Sequence, residues 1–125
     1  MAEEAGYDPK RSKVTDEKLA EFIRQPITGE LTEVPGIGPA AVKKLAAGEG
    51  SNKVANTYQL IGKFLSLKGG DDSGKTIQTI EHCDRFWYWL KEMGISSYRS
   101  GIVNAIAEKC NTWIPGIYDE DQYDA

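Results

Sequence analysis

The sequence predicts an all-α domain, a compact bundle of five to six short helices. Three observations carry that expectation. Apolar residues recur at i, i+3, i+4 spacing in several segments, caps and breakers punctuate those segments, and no stretch shows the sustained alternation of a half-buried strand. With 125 residues, 40% of them apolar, one core can form and two full domains are not expected.

Residues 1–14 carry scattered charge and few large apolar side chains, which predicts a disordered leader. Thr15-Asp16 suits an N-cap, and Leu19, Phe22 and Ile23 share one face, so a helix is expected over 16–25, ended by Pro26. A short helix over 29–34 precedes Pro35-Gly36-Ile37-Gly38-Pro39. Pro39 suits the first position of a helix running to Ala47, with Gly48 as its C-terminal cap. Ser51 or Asn52 caps the next helix, which runs to Leu67 and buries Val54, Tyr58, Ile61, Phe64 and Leu65. Residues 69–74 read as a turn. From Lys75 to Met93 the inward residues are Ile77, Ile80, Cys83, Trp87 and Leu90, closed by Gly94. The last helix spans 97–113, with Ile102, Val103, Ile106, Ala107, Cys110 and Trp113 inward. After Pro115-Gly116 the run IYDEDQYDA has no helical period. The organisation expected is a leader over 1–14, a domain over 15–116 and an exposed acidic tail over 117–125.

The chain has no run of 18 apolar residues and a mean hydropathy of −0.47, so no membrane span is expected. Its first residues, MAEEAGYDPKRSK, lack the apolar centre of a secretory signal. Cys83 and Cys110 show neither CxxC spacing nor a His cluster, which predicts a reduced intracellular protein without structural zinc, both cysteines in the core.

A net charge of −4 argues, taken whole, against nucleic acid. Its distribution changes that reading. Residues 1–30 hold five basic and seven acidic groups; residues 69–95 hold three and five, and residues 96–125 two and five. Residues 31–68 instead carry Lys43, Lys44, Lys53, Lys63 and Lys68 against Glu33 and Glu49, a net of +3.

That basic centre contains Leu31-Thr32-Glu33-Val34-Pro35-Gly36-Ile37-Gly38-Pro39-Ala40-Ala41-Val42-Lys43-Lys44-Leu45, the pattern of a helix-hairpin-helix. Gly36 and Gly38 permit backbone angles closed to other residues and keep side chains out of the way of a phosphate. Ile37 is expected to pin the loop to the core. The helix opening at Pro39 offers unpaired N–H groups and the positive end of its dipole, and Lys43 and Lys44 add charge one turn later. Such a device grips sugar-phosphate and reads no base edges, so it predicts sequence-independent duplex binding. The plain alternative is a tight connection between two helices. Val42 stands where such motifs favour Ala.

A second pattern competes. Gly69-Gly70-Asp71-Asp72-Ser73-Gly74-Lys75-Thr76 satisfies G-x-x-x-x-G-K-[ST], in which Lys75 would meet phosphates and Thr76 magnesium. No strand set stands behind it, no second magnesium carboxylate follows an apolar strand, and Asp71 and Asp72 would oppose the β-phosphate. A turn leading into the next helix is the simpler reading. His82, the only histidine, has no second histidine or nucleophile near it and reads as a helix-surface or packing residue. Trp87, Tyr88 and Trp89 could stack on bases, but adjacent aromatics on a helix point different ways, so core and interface are expected.

FIRQP (Phe22–Pro26), PGIGPAAVKKL, IGKFLSLK (Ile61–Lys68) and WLKEMG (Trp89–Gly94), in this order, resemble segments of the barrier-to-autointegration factor family, small all-α proteins that bind duplex DNA as dimers. The resemblance covers residues 15–114, with insertions near 46–56 and 69–84. It implies hairpin backbone contacts to phosphate at Gly36, Gly38, Ala40 and Ala41, basic contacts at Lys44 and Lys18, and an approach at Ser96, Ser97 and Arg99. Two basic positions of the family fall on Tyr98 and Gly101, and the pair before Lys18 is Asp16-Glu17. The resemblance further implies a two-fold homodimer that bridges two duplexes. Ile61, Gly62, Phe64 and Leu65 would line its interface and a groove for LEM-type nuclear envelope domains. The plain alternative is that these four are ordinary core, equally weighted for Phe64 and Leu65, whereas Gly62 inside a helix favours a close interface. A nuclear location (also cytoplasmic), a chromatin-organising role, no cofactor and no catalytic activity complete the expectation. The alternatives are a nucleotide-binding protein using Gly69–Thr76 and a protein–protein adaptor that keeps the fold without DNA binding.

Overall fold

The computed structural model describes residues 6–69 and 78–123. Among them stand five α-helices, several short 3-10 turns and no strand. The helices are α1 (Asp16–Arg24), α2 (Pro39–Ala46), α3 (Thr57–Ser66), α4 (Thr79–Glu92) and α5 (Arg99–Trp113). The all-α bundle expected from the sequence is what forms.

Helix α5 is the axis. Every residue from Ser100 to Ala107 is buried, and α1, α3 and α4 all pack on it. A helix apolar nearly all round belongs in the middle of a bundle. Its polar exceptions are satisfied: Asn104 donates to the hydroxyls of Tyr7 and Tyr118, and Lys109 to carbonyls at the end of α1.

Local rules account for the other helices. Thr15 caps α1, its hydroxyl accepting from the Lys18 amide at 3.2 Å, and Asp16 and Glu17 sit favourably in the first turn. Gly94, at φ +90°, closes α4: its amide donates to Lys91, and that of Ile95 reaches back to Leu90. Pro39 opens α2 as expected.

Other expectations are corrected. The cap of α3 is Asn56, whose side chain accepts from the Gln59 amide, so the helix starts later than Ser51 or Asn52 would have it. The Asn52 side chain is occupied elsewhere, its Oδ1 accepting from Trp89 Nε1 and Lys63 Nζ. Tyr58 is therefore displaced to the surface, where its hydroxyl donates to the Ile27 carbonyl. Gly48 is not a left-handed cap; Ala47 is the C-cap, and the Asn52 carbonyl lies where a Gly48 Cβ would be. Ile80 and Trp113 face outward, since the inner face of α4 runs through His82, Cys83, Phe86, Trp87, Trp89 and Leu90, and Trp113 lies at the very end of α5.

The chain termini are corrected too. Residues 6–14, expected as a disordered leader, pack across α5: Tyr7 is buried and its hydroxyl meets that of Tyr118 at 2.7 Å. The tail is anchored by Ile117 and Tyr118, both buried, while Asp119, Glu120 and Asp121 stay exposed. Apolar and aromatic side chains among the charges supply the burial that composition alone does not reveal. The Asp119 amide donates to Thr79 Oγ1 at the N-terminal end of α4.

Candidate functional site

The 3-10 turn Leu31–Glu33 runs into Val34-Pro35-Gly36-Ile37-Gly38 and then α2. Leu31, Val34 and Ile37 are all buried, so every third residue from the turn through the loop is held in the core. The Ile37 amide donates to the Val34 carbonyl at 3.0 Å, which fixes the tight turn.

The two hairpin glycines differ. Gly36 sits at φ +96°, and a Cβ there would stand 3.0 Å from both Ile102 Cγ1 and Tyr98 Cβ. It is required twice over, by conformation and by the close approach of the start of α5. Gly38 has φ −108° and ψ −175°, extended backbone that any residue adopts, so the expectation of a special angle there is corrected. A Cβ on Gly38 would meet nothing within 4 Å. It points into open space at the mouth of the helix.

Beyond Gly38 the first amides of α2, those of Ala40 and Ala41, lie ahead of the helix's own carbonyl ladder, and Gly38 has no side chain to cap them. Helix α2 thus presents bare N–H groups and its positive dipole end.

A groove of about 860 Å³ runs between the hairpin and the N-terminal part of the chain. Gly36, Ile37 and Gly38 line one part of it and Lys18 and Glu21 of α1 another, with Lys13 and Tyr98 also lining it. Asp16 and Glu17, which the sequence set against phosphate, are not part of the lining. Glu33 is, but its carboxylate is engaged by the Thr28 and Gly29 amides and by the hydroxyls of Thr28 and Thr57. Burial pushes this carboxyl up, and the hydrogen bonds from Thr28, Thr57 and Gly29 overcome it, holding it below the ordinary carboxylate range. It works as an internal brace that ties the turn to α3.

The remaining site candidates are not gathered in this groove. Lys43 lines a separate depression with Glu30 and Pro39. Lys44 donates to the Gly94 carbonyl at 2.8 Å, spanning from α2 to the end of α4. Arg99 stacks over the Trp87 ring, 4.3 Å to the centroid, and donates to the Ile95 carbonyl. Ser97 is exposed just before α5.

On α3, Phe64 is fully buried within the single chain, stacked on His82 at 4.1 Å and edge-on to Phe86. Ile61 is 8% exposed, Leu65 is half-buried and Gly62 is exposed. His82 is itself a fully buried packing residue, its Nε2 bonded to the Phe64 carbonyl oxygen. Trp87 and Trp89 are buried and Tyr88 is exposed. Cys83 and Cys110 are buried free thiols, each pushed up to about 12 by that burial. The pattern Gly69–Thr76 lies outside the described residues except for Gly69. Among the described residues no cluster of three or more His, Cys, Asp or Glu could hold a metal, and no helix is long and apolar enough to cross a membrane.

The acidic tail lies away from the groove. It packs at the N-terminal end of α4, and none of its described residues lines the groove. Nothing in the sequence pattern signals the role of Lys109, whose acceptors lie 84–87 residues away, or that of Glu33, which braces Thr28, Gly29 and Thr57.

No family model, curated protein or solved structure matches this chain.

Proposed function

We propose that this protein binds double-stranded DNA without sequence preference, using the Leu31–Ala46 segment as a helix-hairpin-helix. The observation that carries the reading is Gly38. Its backbone angles do not demand glycine and its own fold leaves the space around it empty. A bare residue there keeps the path to the Ala40 and Ala41 amides open for a phosphate oxygen. Lys18 adds charge across the groove, and contacts of this kind hold the backbone without reading bases.

The same reasoning supports a homodimer, the assembly that would let two hairpins bridge two duplexes. Gly62 lies inside α3, is exposed, and would meet nothing within 4 Å if it carried a Cβ. Glycine in a helix interior costs about 1 kcal/mol against alanine, and nothing within the single chain offsets that. Close approach of a second copy along α3 accounts for it, with Leu65 and the exposed edge of Ile61 beside it. Phe64 contributes from beneath, as core. LEM-type partners, a nuclear location and a chromatin role rest on the resemblance. Duplex binding by the full chain, compared with Gly38→Glu, tests the hairpin; solution mass tests the dimer.

A further inference from the structure

Among the described residues only two non-glycine residues occupy the left-handed backbone region, Lys13 and Tyr98, each at φ +61°. Both line the groove in front of the hairpin. Side chains with a Cβ avoid this region, and such outliers persist where the surrounding structure over-determines them, often at functional sites.

The cause is visible for Lys13. Upstream, the Tyr7 hydroxyl is bonded to Tyr118 and the Asp8 amide donates to Ser100 Oγ. Downstream, Thr15 is committed to capping α1. Between these anchors the chain crosses α5 at Gly101, where a Cβ would come within 2.7 Å of Val14 Cγ2 and would also strike the Ser12 carbonyl. The backbone must turn sharply at residue 13, and glycine or asparagine would turn there with least strain. The residue present is a lysine, exposed, with no hydrogen-bond or ion-pair partner among the described residues.

We propose that Lys13 is a further duplex-contacting residue, gripping a backbone phosphate from the N-terminal side of the groove, a role that rests on the duplex-binding reading above. Lys44 and Arg99, two of the basic residues expected to meet phosphate, are each drawn to a backbone carbonyl. Lys13 and Lys18 are the cations that line the groove, against Glu21 and the already engaged Glu33. The occupant that fits is a polyanion lying between them and the loop Gly36–Gly38 that leads into α2, the sugar-phosphate strand of a duplex.

The test is fluorescence anisotropy of a random-sequence duplex with the full chain across a salt series, for wild type, Lys13→Gly, Lys53→Ala and Gly38→Glu. Lys13→Gly is expected to weaken binding about three- to tenfold at low salt. Its plot of log Kobs against log salt should be shallower by about 0.9, the loss of one phosphate contact. Its thermal midpoint should hold or rise, because glycine suits the left-handed backbone. Lys53→Ala, which removes an exposed charge outside the groove, should leave the slope unchanged. Wild-type affinity and slope in Lys13→Gly, with binding lost in Gly38→Glu, overturns the Lys13 role and leaves the hairpin reading standing. An equal loss in Lys53→Ala overturns it as well, by showing an effect of bulk charge. Absence of wild-type binding overturns both.

Discussion

The ammonium of Lys109 on α5 lies beneath the end of α1 and donates to the Phe22 carbonyl oxygen at 2.9 Å. It also donates to the carbonyls of Ile23, at 2.7 Å, and Gln25. These are among the carbonyls a helix end leaves without intrahelical partners, and a cation there also meets the negative end of the helix dipole. One buried lysine therefore fixes the helix that carries Lys18. The same ammonium lies over the rings of Phe22 and Trp113, 5.5 and 5.9 Å from their centroids.

Lys109→Met should therefore destabilise the fold by about 2–3 kcal/mol, since it leaves the end of α1 buried without donors. Urea unfolding followed by circular dichroism measures this. A change below about 0.5 kcal/mol would show that water serves those carbonyls equally well.

The hairpin glycines should separate in mutagenesis. Gly36→Ala combines a left-handed φ with a crowded Cβ and is expected to cost about 1–3 kcal/mol. Gly38→Ala meets open space on extended backbone and should stay within about 0.5 kcal/mol of wild type. Equal costs at both positions would contradict the assignment of distinct roles.

Much of this was readable in the chain. Thr15 and Pro26 bound α1 and Pro39 opens α2, while the short helix expected over 29–34 is only the 3-10 turn Leu31–Glu33. What escaped depends on tertiary partners. Asn52 and Asn56 are equally good caps by type, and the choice falls to Asn56 because Trp89 and Lys63 claim the Asn52 side chain. Lys109 carries no local sign of burial; only the end of α1, more than eighty residues earlier, supplies its acceptors. The two glycines look alike in sequence, and only the approach of Tyr98 and Ile102 tells them apart. For the same reason Lys44 and Arg99 read as free phosphate ligands until the carbonyls of Gly94 and Ile95 are seen beside them.

Acid should remove two contributions to stability, those of His82 and Glu33, offset in part by Asp84 and Glu108, whose carboxyls burial holds above the ordinary range. Burial holds the His82 imidazole below its ordinary value of 6.5, so the unfolded state takes up that proton first and stability falls as the pH drops below about 6.5. Glu33 is held below its ordinary value of 4.5, so its contribution is present above that value and is lost as the pH falls further. Urea midpoints should fall between pH 7 and 5 in wild type and flatten over that window in His82→Gln. An unchanged profile in the variant would remove His82 as the cause.

The thiols of Cys83 and Cys110 should resist alkylation at neutral pH in the folded protein and react only on unfolding, because both are buried and their pKa is pushed up to about 12. Mass spectrometry after a timed maleimide pulse reads this. Rapid native labelling of either cysteine would mean that the α4–α5 contact opens.

Light scattering at tens of micromolar should give twice the chain mass of 13.8 kDa for wild type and the single mass for Gly62→Glu. The variant should be no less stable as a monomer, since any ordinary residue exceeds glycine in helix propensity. A monomeric wild type would contradict the bridging assembly.

The most direct test of the account is the salt dependence of duplex binding by wild type and Gly38→Glu, measured by fluorescence anisotropy on random-sequence DNA. Gly38 is chosen over Gly36 because its side-chain position is empty, so a glutamate there leaves the fold intact and places a carboxylate in the path to the α2 amides. The account predicts wild-type binding that weakens steeply with salt and does not depend on sequence, and no measurable binding by the folded variant. Equal binding by the two proteins, or none by wild type at low salt, would contradict it.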